Sequence, residues 1–322
     1  RDLRMSRGLG DVYKRQGENM GLFDIFKKKN TDANVQNESV EETLDHETEL
    51  KVAEQALKAV EKKTLTPCVR LELVDNRPSI FESKVGGMGY VPHDGTIPED
   101  KKGRQLRLLA QIVCSQVTDI EEFPKSGLLQ FWILNDDVYG MSLDGIACQD
   151  TFRIVYHKDI DKTVTEGEVK AKFKENGLDG EYSMPVNGEF GLKFTSSADV
   201  MSESDVRFEK MFCEYYNAAQ PKKKINSLMD MDIAPADEIE AYEQNYQNAY
   251  GHKIGGYPAF TQWDPRNEDT KYDFLLLQLD SDFGNGDEKI MWGDAGICGF
   301  FINRQRLKDL DFDDVIYNWD CG

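Results

Sequence analysis

Three times in this chain a tryptophan stands beside, or one step from, a carboxylate: Trp263-Asp264, Trp292-Gly293-Asp294 and Trp319-Asp320. An indole offers a large apolar face, and a neighbouring carboxylate offers hydrogen-bond acceptors, which together suit sugars or peptides. Trp263, Asp264, Trp292 and Asp294 are therefore candidate binding residues. Ordinary core packing competes with that reading, since large aromatics dominate interiors.

A second cluster has the composition of a cation loop. Asp280-Ser281-Asp282 is followed by Asn285, Gly286, Asp287 and Glu288, and hard cations want several oxygens from one compact turn. The spacing departs from the calcium-hand pattern, because Gly284 holds its fifth position and Asn285 stands where its glycine belongs. Asp280, Asp282 and Asp287 are thus weak metal candidates. A hairpin with Asn285-Gly286 at its tip accounts for the same residues, and no metal or cofactor is expected.

Catalytic constellations are thin. His46, His93, His157 and His252 show no metal spacing, and no Cys-x-x-Cys pair occurs among the six cysteines. Triads assemble in space, so nothing along the chain selects one. Neither phosphate fingerprint, G-x-G-x-x-G or G-x-x-x-x-G-K-[ST], is present.

The elements that must position these residues are short strands, with helices at two places. Leu50, Ala53, Leu57 and Val60 form one apolar stripe, which predicts a docking helix over 47–66 ending before Thr66-Pro67. CVRLELV from Cys68, LLAQIV from Leu108, LLQFWIL from Leu128 and FRIVY from Phe152 read as strands. A hairpin through Asn187-Gly188 is expected within 181–195. Ser202-Glu203-Ser204-Asp205 fits a capping box opening a helix to about Ala219, with Val206, Met211, Phe212 and Tyr215 as its buried face. A second helix is expected from Pro235, with Ile239, Tyr242, Tyr246 and Tyr250 on one side.

Two stretches of the chain match one another. Lys84–Gly87 (KVGG) corresponds to Lys253–Gly256 (KIGG), and the strand around Gln111 to that around Gln278. From Gly86 to Phe131 is 45 positions, and from Gly255 to Phe300 is also 45. Ile154-Val155-Tyr156 and Val315-Ile316-Tyr317 complete the series. The fold class expected is α+β: two repeated β-rich units, mostly antiparallel, with helices inserted between them and an N-terminal helix. The domain spans 67–322, with units at about 67–160 and 251–320 and the helical insert at about 200–250. Gln111 and Gln278 sit inside apolar strands, where a buried amide must find partners. They remain candidate binding residues, although tying loop backbone is the stronger reading.

KVGGMGYVP, FPKSGLLQFWI, HKIGGYPAFTQWDPR, IMWGDAGICGFFI and DFDDVIYNWD give the chain from Ser83 to Asp320 a resemblance to the YwqG-like family. That resemblance implies a bacterial α+β domain of unknown function with internal repeats, usually cytoplasmic. It implies no established catalytic residue and no established cofactor.

Composition bounds the rest. Of 322 residues, 39% are hydrophobic and 30% charged, and the net charge is −20. Nucleic-acid affinity depends on clustered Lys and Arg, so nucleic acid is not expected as a partner. No apolar run approaches the ~18 residues of a membrane helix. Residues 1–19 resemble translated adapter sequence. Residues 20–46 form a short apolar and basic tip followed by an acidic linker, and membrane contact through Met20–Lys29 is not expected. Widely spread cysteines fit a reducing cytoplasm. The reading is a non-enzymatic protein-binding module for a partner that acidity makes basic, as an immunity protein would be. A small-ligand or carbohydrate binder using the Trp/Asp loops is the alternative, and an enzyme with its site between the repeats is a third.

Overall fold

Asp45 starts the first helix: its side chain accepts from Thr48 N at 3.0 Å, acids follow in the first turn and lysines close the last. The computed structural model describes residues 44–322 except 143, 181 and 285. The tail 1–19, Met20–Lys29 and nearly all of the acidic linker lie outside the described residues. Helix α1 (His46–Thr64) buries Val52, Ala53, Ala56, Leu57 and Val60, while Leu50 is only partly covered. The chain leaves it directly for β1 (Thr66–Val74), with Pro67 disfavouring another helical residue before it.

The remaining strands are β2 (Lys84–Gly86), β3 (Arg107–Val113), β4 (Leu128–Ile133), β5 (Phe152–His157), β6 (Glu189–Asp199), β7 (Lys253–Gly255), β8 (Phe274–Asp280), β9 (Ile297–Ile302) and β10 (Val315–Asp320). They form one ten-stranded antiparallel sheet in the order β10-β9-β8-β7-β1-β6-β2-β3-β4-β5. The sheet curls until its ends face each other. Phe131 meets Phe300 edge-on at 5.0 Å, and Phe152 lies 5.3 Å from Tyr317. The free edge of β10 is covered by the segment after β4: Tyr317 N donates to Ile146 O at 3.0 Å and Trp319 Nε1 to Val138 O at 2.7 Å. An open strand edge is thereby capped.

The two repeated units appear as register. Lys84 lies opposite Gly191 of β6, and Lys253 lies opposite Arg70 of β1. A bulge interrupts β3 between Leu108 and Ala110, and one interrupts β8 between Leu275 and Leu277. Gly86 and Gly255 share φ of +73°. A side chain at Gly86 would strike Gly188 O, and one at Gly255 would come within 2.8 Å of Ile120 Cδ1. Gln111 donates to Ile80 O and Glu82 O and accepts from Tyr90 N, at 2.8–3.0 Å. Gln278 donates to Ala249 O and Gly251 O and accepts from Ala259 N, at 2.8–2.9 Å. Both amides therefore clamp the chain on either side of a Gly-Gly strand.

One feature departs from the linear order. β1 precedes β2 in sequence, but it pairs with β7, and β6 pairs with β2. The two long strands exchange places and pair with each other from Thr66–Asp199 to Val74–Gly191. The halves of the sheet are thus held together through crossed strands.

Two local expectations are corrected. No hairpin forms at Asn187-Gly188, because Asn187 N bonds Lys289 O at 2.8 Å and Val186 pairs with Ile290. The partner comes from the other unit. Helix α2 (Glu166–Lys172) follows β5, and no capping box starts the next helix at Ser202. Helix α3 (Phe208–Ala219) begins later: the Asp205 carboxylate is held by Arg207, through its backbone N–H and its guanidinium, and by Arg266, while the Ser202 hydroxyl makes no hydrogen bond among the described residues. Its buried face shifts accordingly to Phe208, Phe212, Cys213 and Tyr216. The next helix breaks at Ile239 into α4 (Pro235–Glu238) and α5 (Glu240–Ala249). These helices and α1 share one apolar cluster, in which buried Glu49 accepts from Tyr216 Oη, Lys223 Nζ and Asp232 N.

Gln278→Leu leaves two backbone carbonyls and one amide unpaired in the interior. The expected loss is about 3 kcal/mol, readable as a lower urea midpoint with an unchanged slope. A loss below about 0.5 kcal/mol would show that the amide holds nothing.

Candidate functional site

The structure separates the tryptophans. Trp292 is fully buried, 5.7 Å from Tyr139 and 6.1 Å from Trp319, which is itself buried. Their core position removes them as ligand platforms. Asp294 stays exposed on the turn between Trp292 and β9, and its carbonyl accepts from Gly322 N. Gly296 closes that turn because a side chain there would collide with Asp320 O. Gln111 and Gln278 are buried with their amides engaged in the clamps above.

The acidic stretch folds as a hairpin. Asp282 and Ile290 bridge antiparallel strands, and Gly286 N bonds Phe283 O at 3.0 Å; Asn285 lies outside the described residues. Asp280 accepts from Gly251 N, while Asp282 accepts from Gly284 N and faces His252 Nε2 at 3.2 Å. Asp287 is exposed. Among the described residues no three His, Cys, Asp or Glu side chains are arranged to hold a metal ion. His252 Nδ1 accepts from Asp280 N, which assigns its proton to Nε2, pointing at Asp282. Both ring nitrogens are therefore spent on structure. The His252 bond holds the Asp282 carboxyl down at about 2. Burial pulls the Lys253 ammonium down to about 8, against the opposing pull of Asp199 at 2.7 Å. All six cysteines are free thiols, and burial pushes Cys114 up to about 12, so its thiolate is suppressed.

Trp263 is different. It is 55% exposed and lines a cleft of about 500 Å³ between the helical insert and the loop after β7. Asp320 fixes that loop by accepting from Thr261 N and Gln262 N, so the Trp-Asp string at the end of β10 positions the ring. Asp264, beside it, accepts from Val206 N and from Arg266, tying the loop to the insert. Phe208, Tyr246 and Phe260 also line the cleft.

Four carboxylates line the cleft, from Glu203, Asp205, Glu209 and Asp264, and among the described residues no Lys or Arg does. Asp205 and Asp264 are compensated from behind. Arg266 reaches both, at 3.0 and 2.6 Å, and Arg207 reaches Asp205 at 2.6 Å. Among the described residues Glu203 and Glu209 meet only neutral donors: Tyr242 Oη at 2.6 Å for the first, Ser227 Oγ and Leu228 N for the second. Burial first and Glu203 second push the Tyr242 hydroxyl up, so it keeps its proton and donates. Two formal negative charges are left on the cleft. Ser204 Oγ, also in the lining, is buried and makes no hydrogen bond among the described residues.

Sequence reasoning found Trp263 and Asp264 but missed Glu203, Glu209 and Ser204. Two of these three stood inside the capping-box string, where a helix start absorbed them. The signal available was Asp264-Pro265-Arg266, whose arginine needs a second carboxylate once buried.

Two measurements separate core from surface here. Trp292→Ala should cost about 3–5 kcal/mol as a cavity in the core. Trp263→Ala, at a ring more than half exposed, should cost clearly less than Trp292→Ala in the same denaturation series. For Asp282, a depressed folded value means stabilisation that is present above its ordinary 3.8 and lost as pH falls towards about 2. Asp282→Asn should therefore be less stable than the parent at neutral pH, and the two acid-unfolding curves should converge below about pH 2.

No match was found among curated proteins. Residues 83–321 match the family described as Domain of unknown function (DUF1963), which takes in every strand except β1. Since that match covers most of the chain, this protein belongs to the DUF1963 family.

Proposed function

We propose that this chain is a YwqG-like cytoplasmic module that binds a protein partner without chemistry, and that the partner is basic. The observation carrying this reading is the Trp263 cleft: an exposed indole beside Glu203 and Glu209, with no cationic side chain among the described lining residues. Charged surfaces of one sign steer partners of the other and reject like-charged ones. The chain as a whole is strongly acidic, at −20, so the long-range field and the local cleft agree in sign. An immunity-like role, in which the module masks a basic toxin, is the form this reading takes in a cell. No helix among the described residues is long and apolar enough to cross a membrane.

The carbohydrate alternative keeps only Trp263 of its aromatic candidates, because Trp292 and Trp319 are core. Sugar sites present planar polar groups with both donors and acceptors. Here the lining offers mainly acceptors, which favours a donor-rich, positively charged ligand group.

The test is capture of partner protein by immobilised wild type, Trp263→Ala and the double variant Glu203→Gln/Glu209→Gln. Capture should fall steeply from about 0.05 to 0.5 M salt and be lost in both variants. A partner retained by both variants, with no dependence on salt, would overturn the reading.

A further inference from the structure

We propose that the Trp263 cleft is a site for a primary alkylammonium group, the chemistry shared by a lysine side chain and a small free amine. The inference rests on the cleft being the partner-facing surface and names what enters it. Trp263 and the half-buried Tyr246 supply the accessible aromatic lining, while Phe208 and Phe260 belong to the core beneath. An aromatic wall attracts a cation through the ring quadrupole, and indole is the strongest such wall. Rings also cover an alkyl stem, so a charged head on an apolar tail fits better than a bare metal ion.

The carboxylates select the head group. Tyr242 occupies Oε2 of Glu203, while Ser227 and Leu228 N both occupy Oε1 of Glu209. Each carboxylate thus has one oxygen that takes no hydrogen bond among the described residues. A guanidinium reaches full strength by forking onto both oxygens of one carboxylate. An ammonium instead points three separate donors at three separate acceptors. Single oxygens of Glu203 and Glu209 offer two such acceptors on separate carboxylates, and the third donor stays with water. Asp205 and Asp264 do not compete for the ligand, because Arg266 and Arg207 already hold them.

The experiment titrates the intact chain with n-butylammonium, n-butylguanidinium, neutral n-pentanol and the capped peptide acetyl-Gly-Lys-Gly-amide, following the Trp263 indole N–H by NMR. Trp263→Phe identifies the resonance. Butylammonium or the lysine peptide should shift it saturably, at least tenfold more tightly than butylguanidinium and pentanol. Glu203→Gln/Glu209→Gln should weaken that binding at least tenfold; Gln keeps an acceptor for Tyr242, and an unchanged thermal midpoint confirms the fold. Tighter binding of the peptide than of butylammonium assigns the site to lysine on a protein, and the reverse order assigns it to a free amine. Equal binding of pentanol, tighter binding of butylguanidinium, or indifference to the double variant overturns the proposal. If no ammonium probe binds while partner capture still requires Trp263, the ammonium assignment falls and the protein-binding reading stands. If ammonium binds but no partner is captured, the reverse holds.

Discussion

A carboxamide buried in an apolar strand cannot be left unpaired, and this sheet is built around two of them. Gln111 and Gln278 each take backbone groups from both sides of a Gly-Gly strand, so each fixes where the chain enters and leaves β2 or β7. The short strands have only three residues each and little side-chain area of their own to hold them. Their place in the sheet follows from the amides and from buried lysines opposite acidic partners, Lys84 with Glu189 and Lys253 with Asp199. An interior ion pair gains little net stability, but breaking one is costly, so such pairs specify register.

The crossed strands extend that logic from each unit to the whole. β1 and β6 are long enough to pair with each other and with a short strand of the opposite unit. The buried lysines bind both units to one strand: Lys84 takes Glu189 from the start of β6, and Lys253 takes Asp199 from its far end. The two repeats therefore form one folding unit. The Asp282–Ile290 hairpin adds another tie, since its Lys289 and Ile290 pair with Asn187 and Val186 just before β6.

How much of this was legible depended on the range of the interaction. Alternation and apolar runs placed β3, β4 and β5 almost to the residue, because a strand's pattern lies within itself. The repeat, its helical insert and the role of the glutamines were legible for the same reason, each being a local string seen twice. Pairing order was not, because nothing in Cys68–Val74 says which short strand it will meet. The capping-box error has the same origin. Asp205 could have closed a box on Ser202, but Arg207 beside it and Arg266, 61 residues on, take its carboxylate in the interior. Of the candidate site, Trp263 was visible as a residue type, whereas its exposure and the burial of Trp292 are tertiary facts.

That contrast bears on why the cleft lies where it does. The first unit passes from β1 to β2 through a short loop, Asp75–Ser83, whereas the second passes from β6 to β7 through α3, α4 and α5. Gln111 clamps that short loop, and Gln278 clamps the end of the insert. The same amide geometry thus supports a tight connection in one unit and a helical layer in the other. Only the second connection has a surface large enough to face the Thr261–Asp264 loop across a gap. The repeat supplies a rigid, symmetric frame, and the cleft arises where the insert breaks that symmetry. A rigid frame with one asymmetric edge fits binding better than motion, because the aromatic and acidic side chains are set by elements anchored in the sheet.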